Sequence, residues 1–90
     1  MKKYMIERDL PNIGDASADD LKAAAQKSSA ALAELGPDVQ WLHSYVTPNK
    51  TVCVYAATGE DMILKHAELS GFPASVITEV KCMIDVTTGA

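Results

Sequence analysis

From Lys3 to Glu7 apolar and polar side chains alternate, with Tyr4 and Ile6 set against Met5 and Glu7. This is the period-two pattern of a strand whose two sides meet different environments. Asp9-Leu10-Pro11-Asn12-Ile13-Gly14 interrupts it as a loop. The period then lengthens: Leu21, Ala25, Ser28, Leu32 and Leu35 recur at helical spacing, Ser17 with Asp20 forms a capping box in which Asp replaces Glu, and Gly36-Pro37 marks the stop. Ala and Ser recur along this segment, so the helix is expected to lie close against its support. Strand patterns over Val39 to Val46 and Thr51 to Ala57 flank Thr47-Pro48-Asn49-Lys50, a turn that suits an antiparallel hairpin. Thr58 is read as the cap of a second helix through Met62, Ile63, His66, Ala67 and Leu69, closed by Gly71. A last strand is predicted from Val76 to Ile84, and Asp85 to Ala90 as a loose tail.

The order strand, helix, strand, strand, helix, strand predicts an α+β fold: a four-stranded antiparallel sheet with both helices on one face and the other face bare. Right-handed crossovers are expected to leave the two terminal strands adjacent inside the sheet. The positions richest in Ile and Val are assigned to the helix side: Tyr4 and Ile6, Leu42 and Val46, Val52 and Val54, Val76 and Val80. The open face then collects Met5, Glu7, Trp41, His43, Tyr45, Cys53, Tyr55, Ile77, Glu79 and Lys81. That mixture is too apolar for plain solvent exposure and too polar for a core, which predicts two such faces packed together in a homodimer with polar members lining a cleft.

Composition narrows the function. A chain of 90 residues fits one domain spanning 1–90 and gains from burying further surface by self-association. A net charge of -4 with dispersed lysines lacks the basic stripe of a nucleic-acid binder. The apolar runs are too short to span a membrane, and Met1-Lys2-Lys3-Tyr4 leads into a strand without a signal-peptide core. A cytoplasmic location follows, in which Cys53 and Cys82, without a CxxC or CxxH pattern, are two free thiols. The acidic pairs Asp19-Asp20 and Glu60-Asp61 fall in first helical turns, where the helix dipole accounts for them.

The segments YMIERDLPNIG, LGPDVQWLHSYVTPNKTVCVYAA and HAELSGFPASVITEV resemble those of a family of small bacterial ferredoxin-like proteins of unassigned function that includes a nickel-binding member. The resemblance implies a ferredoxin-like fold, a dimer in the style of dimeric α/β barrels, and binding of nickel or another divalent metal. Such ions favour imidazole nitrogen supplemented by carboxylate oxygen or thiolate sulfur. Only His43 and His66 supply nitrogen, and no HxH or HxxxH motif concentrates ligands. The best constellation is His43 with Glu7 and with Cys53 or Tyr55, while His66 joins only if its helix borders the cleft. The plainer reading makes His43 a packed histidine at an interface and His66 a partly buried one against the sheet or Phe72. Trp41, Tyr45 and Tyr55 are either interface anchors or the walls of an organic-ligand cleft. Three functions remain open: a metal-binding dimer, a small dimeric α/β-barrel enzyme with His43 as general base and Tyr45 or Tyr55 orienting substrate, and a structural interaction module.

Overall fold

The computed structural model describes residues 1–90 and carries the expected order: β1 Lys2–Asp9, α1 Ala18–Leu35, β2 Val39–Val46, β3 Lys50–Ala57, α2 Glu60–Ser70 and β4 Val76–Val80. Short 3-10 turns occupy Ile13–Asp15 and Val86–Gly89. The four strands form one antiparallel sheet in the order β2-β3-β1-β4. β4 does lie beside β1, but at an edge, and the interior strands are β1 and β3. Each crossover skips one strand position, so β1 and β3 end side by side in the middle.

Local chemistry sets most element ends. Ser17 Oγ accepts from the Asp20 N–H at 3.1 Å while Asp20 Oδ2 accepts from the Ser17 N–H at 3.3 Å, so the capping box forms with Asp in place of Glu. The N-cap of α2 is Gly59 without a side-chain bond, not Thr58, whose N–H instead donates to Asp38 O. Gly71 ends α2 in the left-handed conformation with φ 75. β4 stops at Val80, short of the expected Ile84, because its pairing with β1 runs out at Lys3.

Register fixes the faces. Tyr4, Ile6 and Arg8 stand opposite Tyr55, Cys53 and Thr51, and Ile77 stands opposite Ile6. These residues share the helix side, where Tyr4, Ile6, Val39, Cys53, Tyr55, Ala57, Met62 and Ile63 form the core with Leu32 and Leu35 packed against it. β1 therefore follows its expected parity. β3 and β4 are inverted: Val52, Val54, Val76 and Val80 are on the open face, and Cys53, Tyr55, Ile77 and Glu79 on the helix side. β3 is interior and carries apolar residues on both faces, and the short edge strand β4 does too, with Val76 and Val80 on one face and Ile77 on the other, so counting branched residues does not choose between them. β2 changes phase within itself. A bulge between Trp41 and His43 leaves Trp41 on the helix side while His43 and Tyr45 face outward.

Candidate functional site

Two places in the molecule carry chemistry, one on each side of the sheet. On the open face His43 is exposed, and its ring meets Tyr45 edge-on with centroids 5.2 Å apart. Met5, Val52 and Val54 lie beside them on this uncovered face, which also carries Lys3, Glu7, Lys50 and Thr78, the mixture of apolar and polar groups expected. Glu7 shares this face but is held by Lys50, with Nζ 2.8 Å from Oε1. That hydrogen bond is the main cause of the raised Lys50 pKa. His43 and Glu7 do not meet. Glu7 is level with Val52 and Tyr45, whereas His43 is level with Val54 and Met5, so β3 runs between them. Two strand spacings and two residues of offset separate their backbones by roughly 12 Å.

The other expected partners of His43 are elsewhere. Cys53 and Tyr55 are buried under the helices, and His66 is 1% exposed on the inner side of α2. The expected single cleft of Trp41, Tyr45 and Tyr55 divides across the sheet: Trp41 and Tyr55 stack at 6.5 Å on the helix side, and Tyr45 is outside. Nowhere do three His, Cys, Asp or Glu side chains gather in a geometry fit for a metal ion. One chain by itself thus does not supply a closed metal site.

The second place is beneath α1, and it grows out of the small-residue stripe. Ala24, Ala25 and Ser28 do not bring the helix down onto the sheet as expected; they roof a cavity of about 260 Å³ over Trp41, Tyr55, Cys53 and Arg8. Leu10 and Ile13 close one side, Phe72 another. The loop carrying them is tied to the hairpin turn, where Gly14 N–H donates to Pro48 O and Asn12 N–H to Asn49 Oδ1, both at 3.0 Å. A Cβ on Gly14 would lie 2.7 Å from Pro48 Cα, so glycine is what permits this docking.

A buried polar chain links this cavity to α2. Ser28 Oγ lies 3.0 Å from His66 Nε2 and 3.3 Å from Tyr55 OH. Arg8, only 3% exposed, donates from Nη1 to Pro73 O at 2.8 Å and to Phe72 O at 3.4 Å, and its guanidinium carbon is 6.0 Å from the Tyr55 ring centroid. Two buried side-chain nitrogens have no partner, Arg8 Nη2 and His66 Nδ1. Burial pushes the His66 imidazole pKa down, and the Arg8 charge pushes it further the same way. Burial also raises the Tyr55 phenol, against the lowering contributed by Ser28 and Arg8. The network is therefore a neutral imidazole and a neutral phenol beside one fixed cation. Sequence reasoning placed Ser28 in the helical stripe without a polar role and passed over Arg8. The signal for Arg8 was parity: it continues the core-facing series of Tyr4 and Ile6, and a charge on that face needs an explanation.

Comparison with known proteins now bears on the reading. The family described as nickel responsive protein SCO4226-like matches residues 4–80. The crystal structure of SCO4226 from Streptomyces coelicolor A3(2) aligns with TM-score 0.76 at 20% sequence identity, covering 91% of this chain and 99% of that one. At that identity the likeness shows the fold, which is the ferredoxin-like α+β arrangement expected. No curated protein matches this chain.

Proposed function

Because this chain belongs to the nickel-responsive SCO4226-like family, we propose that it is a homodimer that takes up nickel or another divalent transition metal between two helix-free sheet faces. The observation that carries the proposal is His43, an exposed imidazole on the sheet face that no helix covers, beside the apolar Met5, Val52 and Val54. With no metal-binding cluster inside one protomer, the donors are drawn from two. A two-fold axis passing near His43 repeats every side chain of this face, so one imidazole becomes two. The edge-on contact with Tyr45 orients the ring, and Glu7 would join only by leaving Lys50. Its free thiols, Cys53 and Cys82, suit a reducing compartment, and the proposed setting is the cytoplasm. No helix is long and apolar enough to cross a membrane. The alternative enzyme, with His43 as base and Tyr45 or Tyr55 orienting a substrate, keeps only Tyr45, which meets His43 edge-on, because Tyr55 is on the opposite side of the sheet.

The test is light-scattering mass with nickel calorimetry on tag-free protein. A dimer that takes up nickel, and a His43→Ala variant that keeps the dimer mass but loses uptake, is the expected result. A monomeric wild type, or full uptake in His43→Ala, would overturn the proposal. His66→Ala is predicted to retain uptake, since that imidazole is enclosed by Ser28 and Tyr55.

A further inference from the structure

Arg8 is a buried cation without a counter-charge. The two ion pairs of the protein, Lys2 with Glu79 and Lys50 with Glu7, do not involve it. Its partners are two backbone carbonyls, both on Nη1. Taking a guanidinium out of water costs several kcal/mol even after relaxation, and carbonyl dipoles recover only part of that. Arg8 lines the cavity beneath α1 and is the sole charged residue among its fourteen lining residues, with Nη2 unpartnered. The hydroxyls of Ser28, Thr51 and Tyr55 share the lining. Leu10, Ile13, Leu21, Trp41 and Phe72 supply the apolar part of the lining.

We propose that the cavity beneath α1 binds a small organic monoanion, a carboxylate seated against the Arg8 guanidinium with an apolar body held between α1 and the sheet. A carboxylate matches a guanidinium in shape and, with a single negative charge, neutralises one arginine without leaving charge over. Inorganic phosphate would gain nothing from the apolar walls and would bring more charge than Arg8 balances. The volume sets the size of the body. Benzene occupies an engineered cavity of ~150 Å³, so 260 Å³ corresponds to a ligand of about ten non-hydrogen atoms. The small residues Ala24 and Ala25 create that room, because larger side chains there would fill it. This site lies on the opposite side of the sheet from His43 and is independent of any metal.

The experiment uses protein freed of metal with EDTA and two ligand pairs of about the required size: octanoate against octanamide, and phenylacetate against phenylacetamide. Trp41, the single tryptophan, lines the cavity and reports binding by its fluorescence. At least one carboxylate is expected to bind at least about tenfold more tightly than its amide, since only the carboxylate satisfies the cation. Arg8→Met is expected to abolish that preference. Ala25→Phe, which leaves Arg8 in place and fills the cavity, is expected to abolish binding of the preferred carboxylate, and it keeps the test decisive if Arg8→Met does not fold. The proposal is overturned if amide and carboxylate bind equally in both pairs, if none of the four binds at millimolar concentration, if inorganic phosphate binds as tightly as the carboxylates, if the preference survives Arg8→Met, or if Ala25→Phe binds as the wild type does.

Discussion

Ser28→Ala removes one oxygen that serves two buried partners, and its cost can be worked from the geometry. The hydroxyl is 3.0 Å from His66 Nε2 and 3.3 Å from Tyr55 OH, and Ser28, Tyr55 and His66 are exposed by only 5%, 2% and 1%. His66 Nδ1 already lacks a partner, so the substitution leaves the whole imidazole without a hydrogen bond. A buried donor or acceptor stranded in this way costs about 1–3 kcal/mol. Tyr55 OH loses the same partner, held at the longer 3.3 Å, so its share falls at the low end and the sum is about 2–4 kcal/mol. A domain of this size is stable by about 5–13 kcal/mol, so the loss is a large fraction. Urea unfolding at neutral pH measures it, with Ser29→Ala on the exposed side of α1 as the control expected within about 0.5 kcal/mol of wild type. Equal midpoints for Ser28→Ala and Ser29→Ala, with unchanged slopes, would refute the claim that this hydroxyl ties α1 to His66 on α2 and Tyr55 on β3.

Further outcomes follow from the same geometry. The folded His66 pKa is depressed below its ordinary 6.5, chiefly by burial and further by Arg8, so the unfolded chain binds a proton the folded one resists. The associated stability is present above pH 6.5 and is lost as pH falls toward the folded pKa, with a slope of at most about 1.4 kcal/mol per pH unit. Urea unfolding of wild type and His66→Phe between pH 8 and 5 should show a steeper decline in the wild type; parallel curves would remove His66 as the cause. Gly14→Ala, which sets a Cβ 2.7 Å from Pro48 Cα, is expected to cost about 1–3 kcal/mol. Hydrogen exchange at the Gly14 amide should quicken with it, and a rate equal to wild type would show that the loop is not docked as described.

What the sequence determined by itself is whatever depends on neighbours along the chain. The element order, the bounds of β2, the capping box at Ser17 and the left-handed stop at Gly71 are all set by residues a few positions apart, and all appear in the structure. The faces of β1 were legible too, because Tyr4 and Ile6 contrast with Lys3 and Glu7. The uncovered face with His43 and Tyr45 was also anticipated, although His43 reaches it through a bulge that no local signal announces. Only the tertiary structure decided the rest. β3 reads Val-Cys-Val-Tyr, apolar at every position, so its parity comes from pairing with Tyr4 and Ile6 on β1, and that choice moved Cys53 and Tyr55 away from His43. The cavity beneath α1 is assembled from side chains as far apart in sequence as Arg8 and Phe72. Alanines that predict close packing instead leave space there, because whether a small side chain closes a gap or opens one depends on what stands opposite, here the broad rings of Trp41 and Tyr55 and the long arm of Arg8.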